Sequence, residues 1–151
     1  HQLKEGLDFW VGGILLPHSK GGLGYSDADV LIHSICDALL GAANLGDIGK
    51  HFPDSDPMLK GFDSRVFLKS VAKLIYDTGY ELINLDCTVV CEKPKISPYI
   101  GEMKDNLSSD LNVSLNQVSV KATTTEMLGF TGREEGIAAF AVVSLVPIIE
   151  E

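Results

Sequence analysis

Basic residues are scarce in this chain. Its 12 Lys and Arg stand against 21 Asp and Glu, leaving a formal charge of −9 and a pI near 4.8. That balance is the wrong sign for a nonspecific nucleic-acid or anionic-membrane binder, so neither partner is expected. It leaves room for a small phosphorylated ligand held by a few local cations or a metal ion. Cysteine is scarce too: three thiols are an odd count and read as reduced cytosolic side chains, not a disulfide framework. Cys87 and Cys91 lie in one strand-like run, where a rise of ~3.3 Å per residue separates their Cα atoms by about 13 Å, beyond disulfide reach. They are expected to be buried apolar fillers. No apolar run approaches the ~20 residues that span a bilayer, and no signal peptide, linker, low-complexity tract or repeat divides the chain. The chain starts at His1, not Met, so a segment ahead of it is expected.

With 151 residues, 45% of them hydrophobic, one domain over 1–151 with a single core is expected. Phe9-Trp10-Val11 and Ile14-Leu15-Leu16 read as two strand pieces with a bulge or bend at Gly12-Gly13, and the glycine-rich stretch 18–25 reads as a loop. Ser26 is the candidate N-cap of a first helix, with Asp29 three residues later. Leu31, Ile35, Ala38, Ala42 and Leu45 form its apolar stripe, and Gly46 is its stop. The polar stretch 47–61 reads as a long loop of the functional kind. Asp63 or Ser64 opens a second helix that buries Phe67, Val71, Leu74, Ile75 and Thr78 and ends at Gly79. Residues 81–92 alternate as a strand with Leu85, Cys87, Val89 and Cys91 on one face. Ser97-Pro98 opens a third helix carrying Ile100, Met103, Leu107 and Leu111, and strands follow over 118–122 and 137–147. These elements predict an α+β fold, one mixed sheet with helices packed on one face.

Four constellations could carry chemistry. His33 has Asp29 and Asp37 four residues to either side, all on one helix face. The set is either a solvated charge stripe or a metal ligand with Asp37 orienting the imidazole. A zinc site needs about three protein ligands, so any further imidazole must come from His1, His18 or His51. The stretch 121–133 follows a short strand with Thr123, Thr124, Thr125, Glu126, Phe130, Arg133 and two glycines. Hydroxyls and backbone N–H groups suit phosphate oxygens, Arg133 offers bidentate hydrogen bonds, and Glu126 suits a hard cation, though a glycine turn explains the composition equally well. In the loop, Asp54 and Asp56 offer acceptors to polyol hydroxyls or simply close Asx turns. Lys93-Pro94-Lys95 adds two cations at a strand end.

Together the segments resemble the 2-C-methyl-D-erythritol 2,4-cyclodiphosphate synthase family. The resemblance rests on Ser26-Asp27-Ala28-Asp29-Val30 with His33, on the stretches 37–43, 45–49 and 52–57, and on the Thr-Thr-Thr-Glu and Gly-Phe-Thr-Gly-Arg elements within 121–136. It implies a homotrimer with active sites between subunits, which cyclises 4-diphosphocytidyl-2-C-methyl-D-erythritol 2-phosphate with release of CMP in the non-mevalonate isoprenoid pathway. It implies zinc or another divalent transition metal on an Asp-x-His…His pattern, with His1 and His33 as the imidazoles and the Asp falling two residues before His1. A second cation, Mg2+ or Mn2+, would meet Glu126. Tyr25 and Ser26 match contacts to the transferring phosphates, Tyr25 as a catalytic residue, and His1 counts among the substrate-binding residues as well as the metal ligands. Asp47, Ile48, Gly49, Phe52, Pro53, Asp54, Ser55 and Asp56 match the stretches holding the erythritol portion. Lys95, Ile96, Ser97, Thr123, Thr124, Thr125, Glu126, Phe130 and Arg133 match the cytidine-diphosphate contacts, with Thr124 steadying the transition state. The implied setting is a bacterial cytoplasm, or a plastid stroma after removal of a transit peptide.

The implied chemistry suits these residues. The attacking 2-phosphate is already anionic, so no Ser or Cys nucleophile is required, and positioning plus charge screening remain as the protein's work. Many family members carry His where this chain has Tyr25. A phenol donates one hydrogen bond but carries no positive charge near pH 7, so weaker phosphate stabilisation is expected. The rival readings are a catalytically weak trimer that binds cytidine nucleotides or polyprenyl phosphates, and a metal-dependent phosphohydrolase. Fusion to a cytidylyltransferase is left open.

Overall fold

The computed structural model describes residues 1–149. It opens with four short strands, Leu3–Glu5 (β1), Phe9–Val11 (β2), Ile14–Leu16 (β3) and Lys20–Gly22 (β4). β2 and β3 pair antiparallel through a two-residue turn at Gly12-Gly13, where both residues have positive φ, 61° and 77°. This is the type I′ geometry that matches strand twist, so the expected bulge or bend is a tight hairpin. A Cβ at Gly12 would also sit 2.6 Å from the Met103 side chain. The stretch expected to be a loop contains β4, which pairs antiparallel with β1. Lys20-Gly21-Gly22 carries no strand propensity of its own; its partner supplies the pairing.

The first helix, Val30–Ala42 (α1), is capped by Asp29, not Ser26. Ala28 takes positive φ (60°), which turns the chain so that the Asp29 carboxylate reaches the Ile32 N–H at 3.1 Å. The same carboxylate accepts from the N–H groups of Gly12 (3.0 Å) and Gly13 (2.7 Å), tying the hairpin to the helix start. Burial outweighs those hydrogen bonds and pushes Asp29 up to about 6. The long loop contains one helical turn, Ile48–His51 (α2), and a 3₁₀ turn at Pro57–Leu59. Asp63 caps Ser64–Asp77 (α3), which buries Phe67, Leu68, Val71 and Ile75; Leu74 is half-buried and Thr78 is exposed.

Tyr80–Val90 (β5) is the centre of a three-stranded sheet. Ile100–Leu111 (α4), preceded by a 3₁₀ turn at Ser97–Tyr99, returns the chain to Val118–Thr123 (β6), parallel to β5. The turn Gly129–Gly132 (α5) leads to Ala138–Pro147 (β7), antiparallel to β5. The sheet is therefore mixed, but among the described residues it is joined by the two small ribbons, β1–β4 and β2–β3, and is not the single sheet expected. Leu85, Cys87 and Val89 point with Val118 and Val120 into one core shared with α1, α3 and α4. The cysteines are free, as expected, and burial pushes the Cys87 thiol up to about 12 and Cys91 to about 11, so neither is ionised near neutrality. The opposite sheet face carries Asp86, Thr88, Lys121, Phe140 and Val142 and, among the described residues, has no layer of helices over it.

Candidate active site

A cleft of about 200 Å³ lies at the start of α1, lined by His1, Gly24, Tyr25, Ser26, His33, Ile48, Phe52, Asp54, Leu59 and Phe67. A larger cavity, about 550 Å³, is lined by parts of α3, the end of α4 and Gln117; its buried carboxylate, Asp110, is taken by Arg65 at 2.8 and 3.0 Å. None of the residues singled out from the sequence as site candidates lines it.

The two cleft imidazoles face each other edge to face, with ring centroids 5.3 Å apart. His1 Nδ1 is 3.0 Å from the Ala28 carbonyl, which only accepts, so Nδ1 donates and, in the neutral ring, Nε2 is the lone-pair nitrogen. His33 Nε2 lies 2.9 Å from Ser64 Oγ and 3.2 Å from Ser26 Oγ. Ser64 gives its own hydroxyl proton to Asp27 in a short hydrogen bond, while its N–H donates to the other Asp27 oxygen at 2.9 Å. The Ser64 hydroxyl is thereby left to accept from His33 Nε2–H, and His33 Nδ1 becomes the lone-pair nitrogen. Burial lowers the His33 pKa, with Asp27 pulling the other way, so the ring is neutral at pH 7.

The neutral His33 ring and the neighbouring His1 ring, each with one nitrogen outside its hydrogen bonds, are a donor set suited to a transition metal. Among the described residues, no three His, Cys, Asp or Glu side chains converge, so His1 and His33 could supply two of the roughly three ligands such a site needs. The residues present fit the metal as a partial set. Asp37 does not orient His33 as expected: its carboxylate accepts the Ile48 N–H at 2.8 Å and anchors α2. That duty arises because the chain turns back at 44–47, which brings α2 against α1 beside Asp37.

The loop acids divide. Asp47 caps α2 through Lys50 N–H (3.0 Å), and Asp56 closes its turn through Met58 N–H (3.0 Å), so both close turns. Asp54 lines the cleft with Ile48 and Phe52, whereas Gly49, Pro53 and Ser55 do not. The Tyr25 hydroxyl donates to the Asp56 carbonyl at 3.0 Å, so the phenol steadies this loop.

The second constellation stands apart from the cleft lining. Thr123 ends β6, and Thr124 and Glu126 are exposed on the turn after it. Thr125 is turned inward, donating to the Leu128 carbonyl (2.6 Å) and pairing with Thr131 (2.9 Å). A Cβ at Gly132 would lie 2.2 Å from the Met127 backbone, so only glycine lets α5 pack under this turn. Arg133 is engaged by Glu135 at 2.9 and 3.3 Å. Lys95 and Ser97 sit beyond the end of β5, but the Ile96 side chain is buried in the core, so only its backbone can reach a ligand. Phe130 is half exposed and, with His1, Gln2, Glu135 and Gly136, lines a shallow hollow adjoining the cleft at His1. Sequence reasoning missed Asp27 and Ser64 as the groups that set the His33 tautomer. The signal available was Asp63-Ser64 at a helix start, which read only as a cap.

Fold and cleft define a class: an α+β protein with paired imidazoles at the start of its first helix. The chain belongs to the YgbB family, whose model matches residues 1–146. It is 59% identical over 145 residues to the 2-C-methyl-D-erythritol 2,4-cyclodiphosphate synthase of Geobacillus sp. (strain WCH70), covering 96% of this chain and 92% of that one. It is 56% identical over 149 residues to the enzyme of the same name from Porphyromonas gingivalis (strain ATCC BAA-308 / W83), with 99% and 92% coverage. Among solved structures, a CDP-bound form of 2C-methyl-D-erythritol-2,4-cyclodiphosphate synthase matches with a TM-score of 0.88 at 34% identity, over 97% of this chain and 95% of that one. The bifunctional IspDF from Campylobacter jejuni matches with a TM-score of 0.90 at 41% identity, over 96% of this chain but 39% of that longer chain.

Proposed function

We propose that this chain catalyses the metal-dependent cyclisation of 4-diphosphocytidyl-2-C-methyl-D-erythritol 2-phosphate to 2-C-methyl-D-erythritol 2,4-cyclodiphosphate, releasing CMP, in the non-mevalonate isoprenoid pathway. The observation that carries this reading is the His1–His33 pair, each ring held by one nitrogen and open at the other, in a chain 59% identical to a synthase of that name. An oxygen of the 2-phosphate attacks the β-phosphorus. The bond from that phosphorus to the oxygen bridging to the cytidine α-phosphate breaks, and CMP leaves with the electron pair. When bound, zinc or another divalent transition metal would be held by His1 and His33, and Mg2+ or Mn2+ by Glu126; together they would supply Lewis-acid polarisation and charge screening.

The chain's own residues do the positioning. Asp54 accepts from the erythritol hydroxyls. Ser26 and Tyr25, at the mouth of the cleft, meet the phosphates, while Tyr25 also holds the 52–56 loop through the Asp56 carbonyl. Phe52 and Phe67, with ring centroids 4.5 Å apart, wall the cleft against water. Thr123, Thr124, Glu126, Phe130 and Arg133, with Lys95 and Ser97, take the cytidine diphosphate. Arg133 must exchange Glu135 for phosphate, an exposed pair whose loss costs little.

The working unit is a homotrimer with the site shared between neighbouring subunits. Two features support this: the 123–126 turn lies outside the His1–His33 cleft of its own chain, and the uncovered sheet face exposes Phe140 (65%) and Val142 (71%). Three unpaired buried thiols suit a reducing compartment, the bacterial cytoplasm or plastid stroma. A weakly active cytidine-nucleotide-binding trimer is the second reading, favoured by the phenol of Tyr25 and by the Arg133–Glu135 pair. CMP release from the diphosphocytidyl substrate separates the two. Wild-type protein with Zn2+ and Mg2+ should release CMP, and chelation or His33→Ala should slow release by at least about 100-fold. Bound nucleotide without CMP release contradicts the enzyme reading.

A further inference from the structure

One residue step beyond β5, the Cys91 N–H still pairs with the Thr123 carbonyl at 3.0 Å, so the ends of β5 and β6 leave the sheet together. The next residue, Glu92, reaches across to the turn after β6, where its Oε1 accepts the Met127 N–H at 3.1 Å. Its second oxygen, Oε2, is buried and has no hydrogen-bond partner among the described residues. A buried carboxylate oxygen without a partner is costly and calls for a role beyond packing.

The turn it touches is strained. Glu126 and Met127 are consecutive non-glycine residues with positive φ, 54° and 68°, a conformation that persists only where its surroundings over-determine it. On the inner side the turn is held by Thr125, bonded to Leu128 and Thr131, and by the close approach of Gly132 to the Met127 backbone. Within the turn, the Glu126 N–H donates to Thr124 Oγ1 at 3.3 Å. On the outer side, the Glu92–Met127 hydrogen bond fixes the pair. The Met127 side chain is exposed, so its backbone N–H is what the fold uses.

We propose that Glu92 is a positioning residue, a clamp from the end of β5 that holds the left-handed Glu126–Met127 turn so that Thr124 and Glu126 are presented together to the diphosphate and its divalent cation. The inference rests on the proposed reading of Thr124 and Glu126 as those contacts. Glu92 itself touches no substrate. Its influence passes through the Met127 N–H.

The test compares wild type with Glu92→Gln, which keeps an acceptor oxygen, Glu92→Ala, which removes it, and Glu92→Asp, which keeps charge but shortens the reach. Three quantities are read for each folded protein: hydrogen exchange at the Met127 amide, calorimetric affinity for CDP with Mg2+, and the Mg2+ concentration giving half-maximal CMP release. Glu92→Ala and Glu92→Asp should speed Met127 exchange and weaken CDP–Mg2+ binding by about tenfold each, the factor one modest hydrogen bond carries. They should also raise half-saturating Mg2+, with a smaller loss in kcat at saturating Mg2+. Glu92→Gln should stay within about threefold of wild type in all three. A residue that served only stability would lower the folded fraction and leave CDP affinity and Mg2+ half-saturation of that fraction unchanged; that result overturns the proposal. So does unchanged Met127 exchange in Glu92→Ala, or in Glu92→Asp if the alanine variant does not fold. Wild-type protein that neither binds CDP nor releases CMP contradicts the proposed function instead, and the exchange comparison then decides alone whether Glu92 clamps the turn.

Discussion

Ser64 determines which nitrogen His33 presents to the cleft. Because its proton goes to Asp27, the hydroxyl can only accept from His33 Nε2–H, and the ring is locked with Nδ1 open. Outer partners of this kind commonly change metal affinity by about 10- to 100-fold, and Ser64→Ala should weaken zinc binding by that factor in a chelator competition, with the circular dichroism spectrum unchanged. Unaltered zinc affinity would mean that the relay does not orient the ring. The pH dependence has a fixed sign. Burial sets the His33 pKa below its ordinary value of 6.5. The neutral ring therefore contributes stability above that value and loses it as pH falls through the folded-state pKa, and metal affinity of the proposed His1–His33 site should fall in the same direction. At this scale His33 was legible because it sits between two acids at helical spacing, although the neighbours that matter proved different. Asp27 and Ser64 are separated by 37 positions, and a hydrogen bond across that gap leaves no local pattern. Asp37 misled because i,i+4 spacing places two residues on one face without saying which other element approaches that face.

At the scale of elements, the β2–β3 hairpin is the feature with the most consequence. Its turn donates two N–H groups to Asp29, and Asp29 starts the helix that carries His33. Gly12→Ala would force a side chain into positive φ and against Met103, costing about 1–3 kcal/mol and lowering Tm by roughly 3–10 °C. A thermal scan in which Gly12→Ala melts with wild type would show that the turn relaxes freely and does not brace α1. The helices and the long strands were readable because their apolar periods are long: Phe67, Val71 and Ile75, or Leu85, Cys87 and Val89, each mark one buried face. β1 and β4 were not, because three residues each, two of them glycine in β4, are too few to show a period and form strands only by mutual pairing.

At the scale of the molecule, the helices cover one sheet face and leave Phe140 and Val142 on the other. If that face is the trimer contact, wild-type protein should sediment at three times the 16.3 kDa chain mass, whereas Phe140→Glu should sediment as single chains and lose CMP release. A wild type that is active as a single chain would contradict the shared site. The two constellations were legible one at a time from their residue types, but nothing in the order of residues told that they stand apart within one chain. The most direct test of the central claim is ³¹P NMR of the protein incubated with the diphosphocytidyl substrate, Zn2+ and Mg2+. The account predicts two new products, CMP and a cyclic diphosphate with both phosphorus atoms in one ring, lost on chelation and restored by metal. A linear phosphate beside CMP would make water the attacking group and the protein a hydrolase, and unchanged substrate would leave it a binding protein; either contradicts the cyclisation.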